Sequence, residues 1–456
     1  MNERRALNHR KVSAGHGLGL FTDLYELTMV QAYFDQAMHG EAVFSLFVRD
    51  LPPRRNFLVA CGLDTLLDEL EAFRFDADDI AYLASLERFS TDFLDWLRDF
   101  RFTGTVYAVP EGTPVFADEP LLEIVAPLPQ AQLIETLVMN QIQLQTVLAS
   151  KAQRMAAAAA GRRVLDFGAR RMHGFDAALK AARAFHVAGI AATSNVLAGR
   201  VWGVPVAGTM AHSYVQAHDD EREALRAFAQ TFPDTVVLVD TYDTLAGVRK
   251  VVDLVRSGEA RIGAVRLDSG DLLELARASR RLLDAAGLQH VGIVASGGLD
   301  EDRIAELVAA GAPIEGFGVG SSMGVSDDAP NLDIAYKLCE YDGRGRLKLS
   351  SGKPVLPGRK QVFRSLRDGR AVGDVIARAD ESLAGEPLLH PVMRDGRRLH
   401  TPADLDALRT HAQESIARLP DAVQALEAAE PGYPVSVSAA LREHQQQVAE
   451  RIRAGQ

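Results

Sequence analysis

The stretch "GTMAHSYVQAH" (208–218) sets the imidazole of His212 among glycine, alanine and serine, side chains too small to cover it. An imidazole left accessible in this way can act as a nucleophile and accept a phosphoryl group. Guanidinium groups that would offset the charge of such a group occur nearby in type and pattern. Arg170 and Arg171 close "LDFGARR", and Arg266 stands two residues before Asp268 in "AVRLDSG". Their planar forks match phosphate oxygens. Four carboxylates, Asp240, Asp243, Asp268 and Asp271, could hold sugar hydroxyls or Mg²⁺, a cation that takes oxygen ligands and substrate phosphates. Two glycine-serine turns add backbone N–H groups that cradle phosphate: Ser296, Gly297 and Gly298, then Gly318, Gly320, Ser321 and Ser322. With Asp166, Phe167, Ser194, Asn195 and Thr209 the inventory suits a phosphorylated sugar.

Each feature also has an ordinary structural reading. "GFGVGSS" serves tight strand–helix packing, Arg170 and Arg171 suit a surface salt bridge, and Phe167 suits a core. Asp240 and Asp243 can cap the helix that begins near Leu245. His218, followed by "DDERE", suits the solvent-facing start of a helix. The combination carries the weight, because all these residues fall where apolar runs end.

Those runs number seven: "VLDFGAR" (164–170), "GIAATSN" (189–195), "VPVAGTMAH" (204–212), "VVLVDTY" (236–242), "AVRLDSG" (264–270), "VGIVASGG" (291–298) and "EGFGVGSS" (315–322). Amphipathic stretches such as "DEREALRAFAQTF" and "TLAGVRKVVDLVRS" separate them. Fully apolar strands alternating with helices predict βα units around a parallel sheet, whose ligands gather at the carboxyl ends of the strands. The expected fold is α/β: an incomplete or irregular (β/α) barrel of about seven parallel strands, with an open doubly wound sheet as the alternative. The flanks differ, alternating and turning on Gly and Pro in "EAVFSLFVRD", "GTVYAVPEGTPVFA" and "YDGRGRLKLSSGKPVLPGRKQVFR". They predict a second, discontinuous α+β domain over 1–130 and 340–400, a barrel domain over 131–339, and a helical extension over 401–456.

Composition narrows the function. The chain has 456 residues, enough for two domains, and a formal net charge of −11, which argues against nucleic-acid binding through a basic surface. Two cysteines without metal-ligand spacing make a disulfide framework or zinc site unexpected and fit a reducing, cytoplasmic compartment. The basic opening "MNERRALNHRKVSAGHG" has no following apolar stretch, so no secretory signal is read there. No apolar run approaches the ~20 residues of a membrane-spanning helix.

Nine motifs in order, "FTDLYELTMVQAYF", "LDFGARR", "ATSNVLAG", "GTMAHSYVQAH", "VDTYDT", "VRLDSGDL", "SGGLDEDRI", "GFGVGSSM" and "KLSSGKPVLPGRKQVFR", resemble nicotinate phosphoribosyltransferase. The resemblance spans roughly residues 20 to 365. It implies a type II phosphoribosyltransferase that makes nicotinate mononucleotide and pyrophosphate from nicotinate and phosphoribosyl pyrophosphate (PRPP), in NAD salvage. It also implies ATP as co-substrate, with His212 as the phosphorylated histidine, Mg²⁺, and a homodimer with shared active sites. By the same resemblance Phe167 and a Tyr25 from the neighbouring subunit sandwich the pyridine ring, while Thr209 and Arg266 lie against nicotinate. Asp268, helped by Asp243, holds ribose and Mg²⁺, and Gly297, Gly298, Gly320 and Ser321 bind the 5′-phosphate. Either Arg170 or Arg171 meets the pyrophosphate. Enzymes that take nicotinamide carry an aspartate where this chain reads Ser194 and Asn195, so the neutral pair implies the acid as substrate. The competing readings are nicotinamide or quinolinate phosphoribosyltransferase, and a non-catalytic nucleotide-sensing barrel.

Overall fold

A computed structural model describes residues 18–350 and 355–455. The opening segment read as lacking a secretory signal, and Ser351, Gly352, Lys353 and Pro354 of the last motif, lie outside the described residues. The chain divides into two compact units, one formed by Lys151–Pro330 and the other by the flanks, up to Ser150 and from Asn331 onward.

The central unit is a parallel sheet whose connections run through helices. Its strands are β1 (Arg163–Asp166), β2 (Ala192–Thr193), β3 (Thr235–Leu238), β4 (Ile262–Leu267), β5 (Gly292–Ser296) and β6 (Gly316–Val319). They stand side by side in the order β2-β1-β6-β5-β4-β3, parallel at every pairing. The sheet has six strands rather than seven, a curled half-barrel open at the β2 and β3 edges. The missing strand is "VPVAGTMAH", which makes one isolated bridge, Val206 with Thr193. Pro205 has no N–H to give a ladder, and the chain leaves the sheet after Ala207 donates to the Thr193 carbonyl at 3.0 Å.

Register levels the strand ends. Asp166 lies opposite Thr193 and Val319, Ser296 opposite Gly318, and Leu267 opposite Ala295. The helices start immediately beyond, and side chains fix where. Asn195, Asp220, Asp243, Asp271 and Asp300 each accept a backbone N–H in the first turn of the helix that follows them. Capping by Asn or Asp in this way contributes about 1 kcal/mol per helix. The buried faces are Val248, Val251 and Leu254 on Thr244–Arg256, and Leu272, Ala276 and Leu283 on Leu272–Ala285.

The flanking unit is built on an antiparallel sheet of seven strands, with Ile334–Tyr341, Glu41–Val48, Pro120–Pro127 and Thr105–Ala108 at its centre. A second sheet of four strands includes the hairpin Lys360–Arg367 and Arg370–Arg378. The residues after 401 do not stand apart as an extension. Val435–Val437 pairs with Arg370–Arg378, and Ser438 caps the helix Ala439–Ala454. The division between the units falls at Ser150/Lys151, inside the long helix Glu135–Ala158, not at 130. The reason is local: Thr146 and Ser150 on that helix hold the backbone of Cys61 and Val59, which fixes its first part to the flanking unit.

Candidate active site

At the end of β4, Arg266 is 13% exposed and both terminal nitrogens of its guanidinium are engaged. Nη1 donates to the Thr209 hydroxyl and to the Met210 carbonyl, at 3.2 Å for the latter. Nη2 donates to Asp268 Oδ1 at 3.4 Å, while the buried Nε–H has no partner. Burial pushes this guanidinium below its ordinary pKa, against the pull of Asp268 and Asp240 and with a further push from Arg170. It remains a cation at any physiological pH. Arg170 is therefore close enough to be felt here, although it is exposed on the one-turn helix Ala169–Arg171. Arg171, its neighbour, donates instead to the Ser321 hydroxyl at 3.1 Å.

Asp268 joins three strand ends. Its Oδ1 accepts from Ser296 Oγ at 2.5 Å, its N–H donates to Asp240 Oδ2 at 2.8 Å, and its Oδ2 lies 3.8 Å from His212 Nε2. Asp240 Oδ2 also accepts from Ser269 Oγ at 2.8 Å, leaving Asp240 Oδ1 buried without a partner. Of the two residues read as possible caps, Asp243 caps its helix and Asp240 does not; Asp243 Oδ1 accepts from Ala246 N at 2.7 Å and the residue is exposed, and Asp271 caps the next helix.

His212 is not at the end of a strand. The run that carries it has already left the sheet, and the imidazole begins the short helix His212–Gln216 with 40% of its side chain exposed. Thr241 Oγ lies 3.2 Å from Nδ1. When Nδ1 holds the proton and donates it to that hydroxyl, the Nε2 lone pair is free.

The Phe167 ring needs the glycine opposite it. A Cβ on Gly318 would lie 2.5 Å from the ring edge, so the ring rests on bare backbone between β1 and β6. The next turn is equally tight. Gly297 has φ +86° and faces the Asp268 carbonyl, which an added Cβ would meet at 1.8 Å; Gly298 follows at φ +63°. Gly320 and Ser321 open the one-turn helix Ser321–Val325 after β6. Ser194 hangs beyond β2 by its N–H to the Asp166 carbonyl at 2.8 Å, and Asn195 caps Val196–Trp202.

Thus Phe167, Thr209, His212, Arg266, Asp268 and the two glycine turns meet at the carboxyl ends of the strands, where ligands of parallel sheets bind. Tyr25 belongs to the other unit, half exposed on the helix Leu24–Asp35, where burial and the Glu135 carboxylate beside it raise its pKa. One contributor escaped the sequence reading. Thr241 has no signal beyond its place after Asp240. Asp240, singled out by position, could not be known to keep a free buried oxygen. Among the described residues no group of three or more His, Cys, Asp or Glu is disposed to hold a metal by itself.

Comparison with known proteins agrees with the geometry. Residues 20–143 match the nicotinate phosphoribosyltransferase N-terminal domain, 162–373 the nicotinate phosphoribosyltransferase family, and 383–445 its C-terminal domain. A nicotinate phosphoribosyltransferase of Mycobacterium tuberculosis is 55% identical over 427 residues, 93% of this chain and 92% of its own. One from Bacillus subtilis is 40% identical over 390 residues, covering 82% and 80%. The crystal structure of human nicotinic acid phosphoribosyltransferase superposes with a TM-score of 0.84 at 29% identity, over 93% of this chain and 99% of that one. Similarity of this extent, on both units and at more than half of all aligned positions in one relative, places the chain in the nicotinate phosphoribosyltransferase family.

Proposed function

We propose that the chain transfers the phosphoribosyl group of PRPP to nicotinate, yielding nicotinate mononucleotide and pyrophosphate for NAD salvage. The observation that carries this reading is Arg266, whose Nε–H is left without a partner. A buried guanidinium with a free N–H, set beside a threonine hydroxyl, is a receptor for a small carboxylate. Phe167 offers its ring to one face of the pyridine, and a Tyr25 from a second copy of the chain offers another. The turns at Gly297, Gly298, Gly320 and Ser321 take the 5′-phosphate, with Arg171 held beside Ser321. Arg170, which acts electrostatically on Arg266, is the arginine for pyrophosphate.

In the reaction the C1–oxygen bond to pyrophosphate breaks as the ring nitrogen forms a bond to C1, which passes through oxocarbenium character. The pyridine nitrogen brings its own lone pair, so no side chain need remove a proton. The chain positions the ring, holds ribose through Asp268, and offsets charge on the leaving group. The assignment of Asp243 rests on the resemblance alone, while Asp268 and Asp240, whose Oδ1 is buried and unpaired and whose Oδ2 accepts the Asp268 N–H, are the carboxylate donors that would hold Mg²⁺ beside substrate phosphates. Its chemistry there would be neutralisation of the departing pyrophosphate. His212 supplies the coupling to ATP. Its Nε2 lone pair attacks the terminal phosphorus, the bond to the ADP oxygen breaks, and phosphohistidine is hydrolysed later in the cycle.

The test is release of pyrophosphate and formation of mononucleotide from PRPP with nicotinate or with quinolinate, each with and without ATP. Nicotinate should support both and be stimulated by ATP. Turnover with quinolinate at a similar rate, or PRPP binding without turnover of any base, would overturn the reading.

A further inference from the structure

The segments that follow the two glycine turns share an ionic cluster that none of these roles uses. Lys151 and Arg154, one helical turn apart on Glu135–Ala158, both point to Glu301. Lys151 Nζ is 2.6 Å from Glu301 Oε2, 2.8 Å from Asp328 Oδ1 and 3.3 Å from Asp327 Oδ1. Arg154 Nε donates to Glu301 Oε1 at 2.8 Å. The lysine side chain is 2% exposed and the glutamate 4%. Burial would raise the Glu301 pKa, but its hydrogen bonds to Arg154 and Lys151 outweigh that and hold it lowered.

The carboxylates are placed to matter. Glu301 opens the helix Glu301–Ala309 that begins after Gly297 and Gly298, with Asp300 as its cap. Asp327 Oδ1 accepts from Ser322 Oγ at 2.9 Å, and Ser322 is the second residue of the helix after Gly320. The strands feeding these turns are neighbours, with Ser296 opposite Gly318. One ammonium thus holds a carboxylate on the segment that follows each turn. A charged group this deeply buried is costly to desolvate and weak evidence for stability as such. A fixed geometry is what it supplies.

We infer that Lys151 is a positioning residue that sets the spacing of the Gly297–Gly298 and Gly320–Ser321 turns and so tunes recognition of the substrate's sugar phosphate. The inference rests on the proposed assignment of those turns to the 5′-phosphate. Two variants of the full chain test it: Lys151→Met, which removes the ammonium and keeps the stem, and Asp327→Ala, at an exposed position. The probes are ribose 5-phosphate and inorganic pyrophosphate as competitors of PRPP. Both variants should raise the inhibition constant of ribose 5-phosphate, about tenfold for Lys151→Met and severalfold for Asp327→Ala. The constant for pyrophosphate and the KM for nicotinate should stay within twofold. If Lys151→Met does not fold, Asp327→Ala alone decides. Constants that stay unchanged, or that rise together, would assign the cluster to the core and overturn the inference. A wild-type protein that ribose 5-phosphate does not inhibit would instead overturn the phosphate assignment on which it rests.

Discussion

At the scale of single residues the account turns on His212 and Arg266. On the proposed reading His212, with 40% of its side chain exposed, is the phosphoryl acceptor. Incubation with labelled ATP should give an acid-labile, base-stable phosphoprotein, and His212→Ala should abolish the label and ATP hydrolysis together. PRPP-dependent synthesis should persist at a lower rate, because the imidazole takes no part in the bond changes at C1. A label that survives would move the role elsewhere, His218 first. Arg266 makes a different prediction. Lysine keeps the charge but loses the fork, so Arg266→Lys should lower kcat/KM for nicotinate at least tenfold, about 1.4 kcal/mol of transition-state binding. Steady-state kinetics with PRPP saturating read this directly. Residue types were legible in the sequence at this scale, since arginine, aspartate and histidine announce their chemistry. Commitments were not. Nothing in "VDTYDT" says that Thr241 faces the imidazole while Asp243 spends one oxygen on a helix cap.

Between strands, the glycines decide. At Gly297 the positive φ and the Asp268 carbonyl at 1.8 Å from an added Cβ leave no room for a side chain. Gly297→Ala should destabilise the protein by about 2 kcal/mol or more, read as a lower urea midpoint. Gly318→Ala meets a ring edge at 2.5 Å, a neighbour that can swing aside, so stability should fall less and the nicotinate KM should rise severalfold. Strand and helix alternation was written plainly in the apolar runs, and five aspartate or asparagine caps mark where helices start. The run at 204–212 misled because it is apolar like a strand, yet Pro205 withholds the hydrogen bond that would have made it one. Apolar pattern reports burial, and only the backbone donors decide pairing.

For the whole molecule, the acid cluster under Leu24–Asp35 sets a pH dependence that "TDLYE" could not reveal. Glu26 is fully buried, hydrogen-bonded to Thr22 Oγ at 2.5 Å and Thr136 Oγ at 2.6 Å, and burial pushes its pKa from 4.5 up to about 7. The folded state then holds a proton that the unfolded chain releases, so stability should fall as pH rises from about 4.5 to about 7 and level off above. Glu26→Gln should flatten that slope, an effect on the order of 3 kcal/mol in urea unfolding followed across pH. No helix among the described residues is long and apolar enough to cross a membrane. If the active site is shared between copies, inactive Tyr25→Ala mixed with inactive Asp268→Ala should regain partial activity, and none should return, with subunit exchange verified, if it is not. The central claim is that the pocket selects the acid. On the proposed reading the neutral Ser194 and the cationic Arg266 face the base, so a carboxylate in place of Ser194 would repel nicotinate. The most direct measurement is kcat/KM for nicotinate against nicotinamide in the wild-type protein and in Ser194→Asp. The account predicts a wild-type preference for nicotinate of about a hundredfold or more, roughly 2.7 kcal/mol, eroded in the variant by weaker use of nicotinate. Equal use of the two bases by the wild-type protein would contradict it.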